Sequence, residues 1–310
     1  MNPVDLGYAA GWRVVRALPA PAARALFRGA ADYAFRKNGK GTQRLRVNLR
    51  RVIGPDAPDA ELEALVKAGL RSYARYWMEA FRLPSRTHEQ HLDDFRVDNW
   101  ELLADMVKAG KGVIMALPHS GNWDVAGAWV AAHGWPITTV AERLKPESVY
   151  ERFLAFRRSL GMEIIPLTGG DRPVFDILVD RLEAGGTVPL LADRDLSSRG
   201  VEVTFFGGRT RIAPGPALLA IRTGSPLLAV EMWFDDDCTR GHLVPVEIPP
   251  PDAGTRSERV KIVAQRIADH FQESIARHPQ DWHMLQRMWL DSAPQVAPPA
   301  PVGQSPTSEI

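Results

Sequence analysis

From about residue 99 the chain alternates helical stretches with short apolar runs, and this alternation constrains its fold more than any other feature. The pattern predicts helices over 99–109, 125–133, 146–160 and 172–184, and strands over 112–117, 137–141, 163–167 and 188–192. Short strands separated by helices pack as parallel βαβ units, because a parallel neighbour is reached only through a crossover. Further strands are expected at 201–206, 226–234 and 241–247, with helices at 214–223 and 255–277. The fold class is therefore α/β, with a mostly parallel central sheet flanked by helices. A chain of 310 residues, 45% of them hydrophobic, has enough apolar side chains for one large core of this kind.

The stretch 111–129, KGVIMALPHSGNWDVAGAW, carries the first candidate chemistry. A buried strand runs at once into Pro118, His119, Gly121 and Asn122, and a helical pattern begins at Val125. His119 and Asp124 thus sit on a strand-to-helix turn, at the carboxyl end of the sheet where open α/β folds bind ligands. If the chain turns through 120–123, Asp124 can fold back and accept a hydrogen bond from one imidazole nitrogen, leaving the other to take a proton from an alcohol. The alternative is a turn histidine with an aspartate at a helix N-cap. Asp193-Arg194-Asp195 ends the strand 188–192, again at a carboxyl end, so one of these carboxylates can face His119 across the crevice; a loop ion pair is the other reading. Glu142 closes another strand, and Arg157 on the following helix either holds a phosphate or pairs with Glu142.

Several function classes are disfavoured. Cys238 is the only cysteine, which leaves no disulfide framework or thiolate metal site, and the eight histidines show no H-E-x-x-H spacing. There is no G-x-S-x-G elbow and no G-x-G-x-x-G, and Gly110-Lys111-Gly112 precedes a strand where a phosphate loop would follow one. No metal or cofactor is expected. The N-terminus lacks a signal-peptide core and no run approaches membrane-spanning length, so the expectation is a cytoplasmic protein without a transmembrane span.

Charge is unevenly distributed. Residues 1–51 hold eleven Arg or Lys against Asp5 and Asp32, a balance of +9 that leaves −8 for the rest of the chain. On helical wheels, 5–18 gathers Tyr8, Trp12, Val14, Val15 and Leu18 on one side, and 21–36 gathers Leu26, Phe27, Ala30, Tyr33 and Ala34. Such faces, flanked by arginines, suit an anionic bilayer surface or pack on the core with a solvated basic side. No nucleic-acid motif accompanies the charge. The reading divides the chain into an N-terminal basic helical segment (1–98), an α/β core (99–291) and a proline-rich disordered tail (292–310).

Taken together, His119 to Asp124 after a buried strand, Asp193-Arg194-Asp195 before Gly200-Val201-Glu202-Val203, Phe205-Phe206-Gly207, Pro214-Gly215-Pro216-Ala217 and Thr223-Gly224 resemble the bacterial lipid A biosynthesis (lauroyl/myristoyl) acyltransferase family over roughly residues 1–290. The stretches ALPHSGNWDVAGAW, AERLKPES and LADRDLSSRGVEV are similar to its actinobacterial branch, which acylates phosphatidylinositol mannosides. The resemblance implies a glycerolipid-acyltransferase-like fold, peripheral on the cytoplasmic face of the plasma membrane. It also implies acyl-CoA as co-substrate and transfer of palmitoyl to the 6-hydroxyl of a mannose. By the same resemblance His119 is the base, Asp124 its partner and Asp193 a third catalytic residue, with Asp195 able to take its role, while Glu142, Arg157, Asp195 and Asn122 bind substrate. A sugar hydroxyl needs such a base to attack a thioester, and N–H groups around Gly121 or at the next helix N-terminus are the expected oxyanion donors. Two alternatives stand beside this: acylation of another glycolipid, such as a lipid A precursor, and a non-catalytic membrane scaffold.

Overall fold

The computed structural model describes residues 12–142, 147–195 and 200–291. Its centre is a five-stranded sheet in the order β1 (Phe95–Val97), β9 (Thr239–Pro245), β8 (Leu227–Phe234), β2 (Val113–Leu117), β5 (Thr187–Leu191). Strand β2 runs parallel to both β8 and β5, and β1 parallel to β9; only β8 and β9 are antiparallel. Beyond β5 lies a second parallel pair, β3 (Thr138–Ala141) and β4 (Glu163–Pro166), tied to it by an Ile137–Thr187 bridge and by the Thr139 hydroxyl donating to Pro189 O. Strands β6 (Val201–Phe205) and β7 (Gly208–Ile212) form a separate hairpin.

Central strands buried on both faces lose the polar alternation of half-exposed ones, and β2 shows what replaces it. All five of its residues are buried, yet Ile114 and Ala116 enter one hydrophobic cluster while Val113, Met115 and Leu117 enter another on the opposite face. Gly112 just before it is required by close packing: a Cβ there would lie 2.1 Å from Leu182 O. The second cluster is roofed by α6 (Trp123–Ala132) and α7 (Glu147–Ser159), which supply Val125, Trp129, Tyr150 and Leu154.

The N-terminal helices α1 (Ala20–Lys37), α2 (Lys40–Ile53) and α3 (Asp59–Arg82) are continuous with the first cluster: Leu45, Leu49, Leu62, Val66 and Leu70 pack in it together with Ile114. On the helical stretch from residue 12 and on α1, the apolar residues divide between the two expected placements. Trp12 turns inward, its ring 5.1 Å from that of Phe81 and 5.5 Å from that of Phe156, with its indole N–H donated to Phe81 O. An indole with both apolar neighbours and a hydrogen-bond acceptor gains more there than in water. The large apolar residues left outward on this side are Val14, Leu26 and Tyr33, each more than half exposed.

The expected elements appear, α5 (Glu101–Lys108) among them, together with short ones the periodicity does not reveal, including α4 (His88–Asp93), β1 and β7. Among the described residues no helix is long and apolar enough to cross a membrane. The tail 292–310 and the part of the expected helical face 5–18 that precedes residue 12, Tyr8 included, lie outside the described residues.

Candidate active site

The register of two parallel strands builds the centre. Leu117 at the end of β2 is paired with Leu191 at the end of β5. The chain continues two residues past each strand, and His119 and Asp193 therefore emerge side by side at the carboxyl edge of the sheet. His119 Nδ1 lies 2.5 Å from Asp193 Oδ1, and the His119 peptide N–H donates to Asp193 Oδ2 at 2.9 Å. A third donor, the indole N–H of Trp282, reaches the same Oδ2 at 3.0 Å. A carboxylate only accepts, so Nδ1 carries the ring proton and Nε2 presents a lone pair. No described residue bonds Nε2, and the His119 side chain keeps 16% of its surface exposed. Burial of Asp193 pushes its pKa up, but the charge of His119 and the three hydrogen bonds outweigh it and hold the carboxyl below its ordinary range.

Asp124 does not meet His119, and the expected partnership between them is corrected. It sits in the first turn of α6, 2% exposed, and accepts the Tyr76 hydroxyl at 2.8 Å and Arg157 Nε at 2.7 Å. Geometry explains the difference. The helix starts at Trp123, and its N-cap Asn122 accepts the Val125 N–H, which fixes the first turn so that Asp124 projects toward α3 and α7. Burial works against the charge of Arg157, and the Asp124 carboxylate more than restores it, so the guanidinium's pKa lies above its ordinary value. Tyr76 is pushed well above its ordinary pKa by burial and by the Asp124 charge, and stays a neutral donor.

The remaining sequence candidates scatter. Asn122 is fully buried with both ends of its amide engaged, its Nδ2 donating to Glu79 at 3.0 Å. Glu142 is half exposed and faces Arg194 at 3.6 Å, so its ion-pair partner is Arg194 and not Arg157. Asp195 accepts the Gly200 N–H at 2.8 Å, and it is Asp193 that stands against His119. Of the expected oxyanion donors, the Gly121 N–H is already given to Asp281 O at 3.1 Å. The first-turn N–H groups of α6, at Trp123 and Asp124, have no acceptor within the helix.

Beside this centre an apolar slot runs between β2, β5 and the underside of α6. It encloses about 790 Å³ of empty space counting its open mouth, with Leu117, Trp123, Met162, Leu191 and Val230 among its walls. Its charged lining is the Asp124–Arg157 pair, and Trp123 connects it to His119, ring centroids 5.4 Å apart. Among the described residues no cluster of three His, Cys, Asp or Glu is placed to hold a metal. Sequence reasoning missed Tyr76 and Trp282. Tyr76 is one of the buried residues of α3 and lies in no motif, and neither does Trp282.

The centre thus joins an imidazole held by a buried carboxylate at a sheet edge to an apolar slot. Over residues 4–291 the sequence matches the family described as bacterial lipid A biosynthesis acyltransferase, and the chain belongs to that family. It is 48% identical over 286 residues to the phosphatidylinositol mannoside acyltransferase of Mycolicibacterium smegmatis, covering 92% of this chain and 91% of that protein. The phosphatidylinositol mannoside acyltransferase of Mycobacterium tuberculosis is 47% identical over 289 residues, covering 92% of this chain and 88% of that one.

Proposed function

We propose that this protein transfers a fatty acyl chain, palmitoyl in the first instance, from acyl-CoA to the 6-hydroxyl of mannose in a phosphatidylinositol mannoside. The observation that carries the reading is an imidazole anchored through Nδ1 at 2.5 Å to a buried carboxylate, its Nε2 bonded by none of the described residues, beside an apolar slot. The relatives' substrate supports the acceptor. In the reaction Nε2 takes the proton of the sugar hydroxyl as its oxygen bonds to the thioester carbonyl carbon, and Asp193 stabilises the imidazolium. The Trp123 and Asp124 N–H groups at the N-terminus of α6 receive the oxyanion. Collapse breaks the carbon–sulfur bond, and the imidazolium returns its proton to the departing thiolate, giving ester and free coenzyme A. Acyl-CoA is a co-substrate, and no further cofactor enters. The acyl chain lies in the slot.

We place the protein peripherally on the cytoplasmic face of the plasma membrane. The outward Val14, Leu26 and Tyr33 with the cationic N-terminal segment support that placement. The deciding experiment incubates purified protein with radiolabelled palmitoyl-CoA and a panel of glycolipids. Label on mannose C6 of a phosphatidylinositol mannoside, reduced about 10²- to 10⁴-fold by His119→Ala, is expected. Comparable acylation of a lipid A precursor, or label at another position, refutes the acceptor assignment; no transfer to any acceptor favours a scaffold.

A further inference from the structure

The catalytic turn is strapped from behind by three consecutive residues. Ser120 forms an antiparallel bridge with Trp282, the His283 N–H donates to His119 O at 2.7 Å, and the Gly121 N–H donates to Asp281 O at 3.1 Å. Residues 119–121 are thus hydrogen-bonded along their backbone to 281–283. Behind this strap lies a second buried polar group. The Ser72 hydroxyl donates to Asp281 Oδ1 at 2.7 Å and lies 2.9 Å from His283 Nε2, while the Phe234 N–H holds Asp281 Oδ2 at 3.0 Å. Ser72 has one proton and gives it to the carboxylate, so His283 Nε2 is the N–H of that contact. Burial holds the His283 pKa down to about 3, with the nearby His119 lowering it further, so His283 is a fixed neutral strut and not a second base.

We propose that Trp282 is a positioning residue for acyl transfer: its indole N–H fixes the Asp193 carboxylate so that Oδ1 alone faces His119 Nδ1. The proposal rests on the reading of His119 as base given above. A carboxylate turns freely about its last bond, a broad torsion with no staggered wells. With the indole in place, Oδ2 is claimed by two N–H donors and the plane is locked; without it, one donor remains and Oδ1 can swing away from the ring. Trp282 is itself immobile, fully buried against the rings of Phe205 and Phe206. The strap then carries the imidazole as one rigid unit with its partner, as a base acting on a bound hydroxyl requires.

The test is Trp282→Phe, which keeps an aromatic ring and removes the donor. In folded full-length protein kcat should fall about 10- to 100-fold, the range for losing a hydrogen bond to a charged group, with KM for acyl-CoA and acceptor unchanged. The far-downfield proton resonance of His119 Nδ1–H should shift in the same variant. On an Asp193→Ala background the substitution should change kcat by less than about twofold, because nothing is left for the indole to hold. A parent-like kcat with an unmoved resonance, or an equal loss on the Asp193→Ala background, overturns the proposal and leaves Trp282 a packing residue. If Trp282→Phe does not fold, Ser72→Ala loosens the same strap and should lower kcat with KM unchanged; parent-like kcat there also overturns it. The resonance separates this from a failure of the base assignment, since it reports the Trp282–Asp193–His119 coupling whether or not His119 takes the proton.

Discussion

Replacing Asp193 with asparagine tests the site more sharply than removing it. The structure dictates how the new amide must sit. Oδ2 of Asp193 accepts two N–H donors, from the His119 backbone and the Trp282 indole, so the amide oxygen has to occupy that position. The amide NH2 is then turned toward His119 Nδ1, which must become an acceptor, and the ring proton moves to Nε2. The base is in the wrong tautomer while every heavy atom is in place. In the serine-protease triad the equivalent asparagine costs about 10⁴-fold in kcat, and a loss of that order is expected here. Asp193→Ala leaves the imidazole free to choose its tautomer and should be the less damaged of the two. The assay is steady-state transfer of radiolabelled palmitate, with thermal unfolding run in parallel. Asp193→Asn within about tenfold of the parent in folded protein would refute the orienting role drawn from the triad logic. So would an alanine variant much worse than the asparagine one.

Four further outcomes are expected. His283 ionises at about 3 in the folded protein and near 6.5 when unfolded; the unfolded chain therefore takes up a proton the folded one refuses, and stability is lost as pH falls from about 6.5 toward 3, by about 1.4 kcal/mol per pH unit at most. Denaturant titrations of the parent and His283→Gln across that window should show the variant's slope to be shallower. Gly112→Ala, whose Cβ would meet Leu182 O at 2.1 Å, should cost about 3 kcal/mol by overpacking, read as a lower denaturation midpoint; a neutral result would show that the segment before β2 yields. Binding to anionic liposomes should weaken with salt and with Leu26→Glu plus Tyr33→Ser, and salt-independent co-sedimentation would count against membrane docking through this face. Arg157→Gln should destabilise the fold by about 3 kcal/mol or more through the unpaired Asp124 charge, and should lower kcat in whatever protein remains folded; an unaffected kcat would disconnect the pair from the chemistry.

The sheet was largely legible because buried strands are continuous apolar runs between helical periods. Strand β1 escaped because three residues make no period, and β7 because Arg209 and Arg211 alternate with buried Gly208, Thr210 and Ile212 in a run that looks polar. Asp124 looked like the partner of His119 because it is near in sequence, but proximity along a turn says little about direction once a helix has begun. Asp193 was visible as a candidate at a strand end. What singles it out is that β5 is the parallel neighbour of β2 with Leu117 opposite Leu191, and strand order is a long-range property that no local pattern carries. The same limit applies to Trp282 and to Trp12. A helical wheel shows which residues share a side, and the partner that covers that side comes from elsewhere in the chain.

The place of Asp124 makes physical sense once its partners are known. A carboxylate in the first turn of a helix opposes the positive potential of the N-terminus and would repel an oxyanion forming there. Arg157, 2.7 Å away, balances that charge, and the Tyr76 hydroxyl takes up part of what remains. The first-turn N–H groups of α6 are thereby left with their electrostatic pull intact. The three residues also tie α3, α6 and α7 together at the wall of the apolar slot, where an uncompensated charge would not be tolerated. Under the proposed mechanism the two carboxylates divide the work: Asp193 holds the imidazole proposed as base, and Asp124, neutralised by Arg157, holds the helix end proposed to meet the developing negative charge.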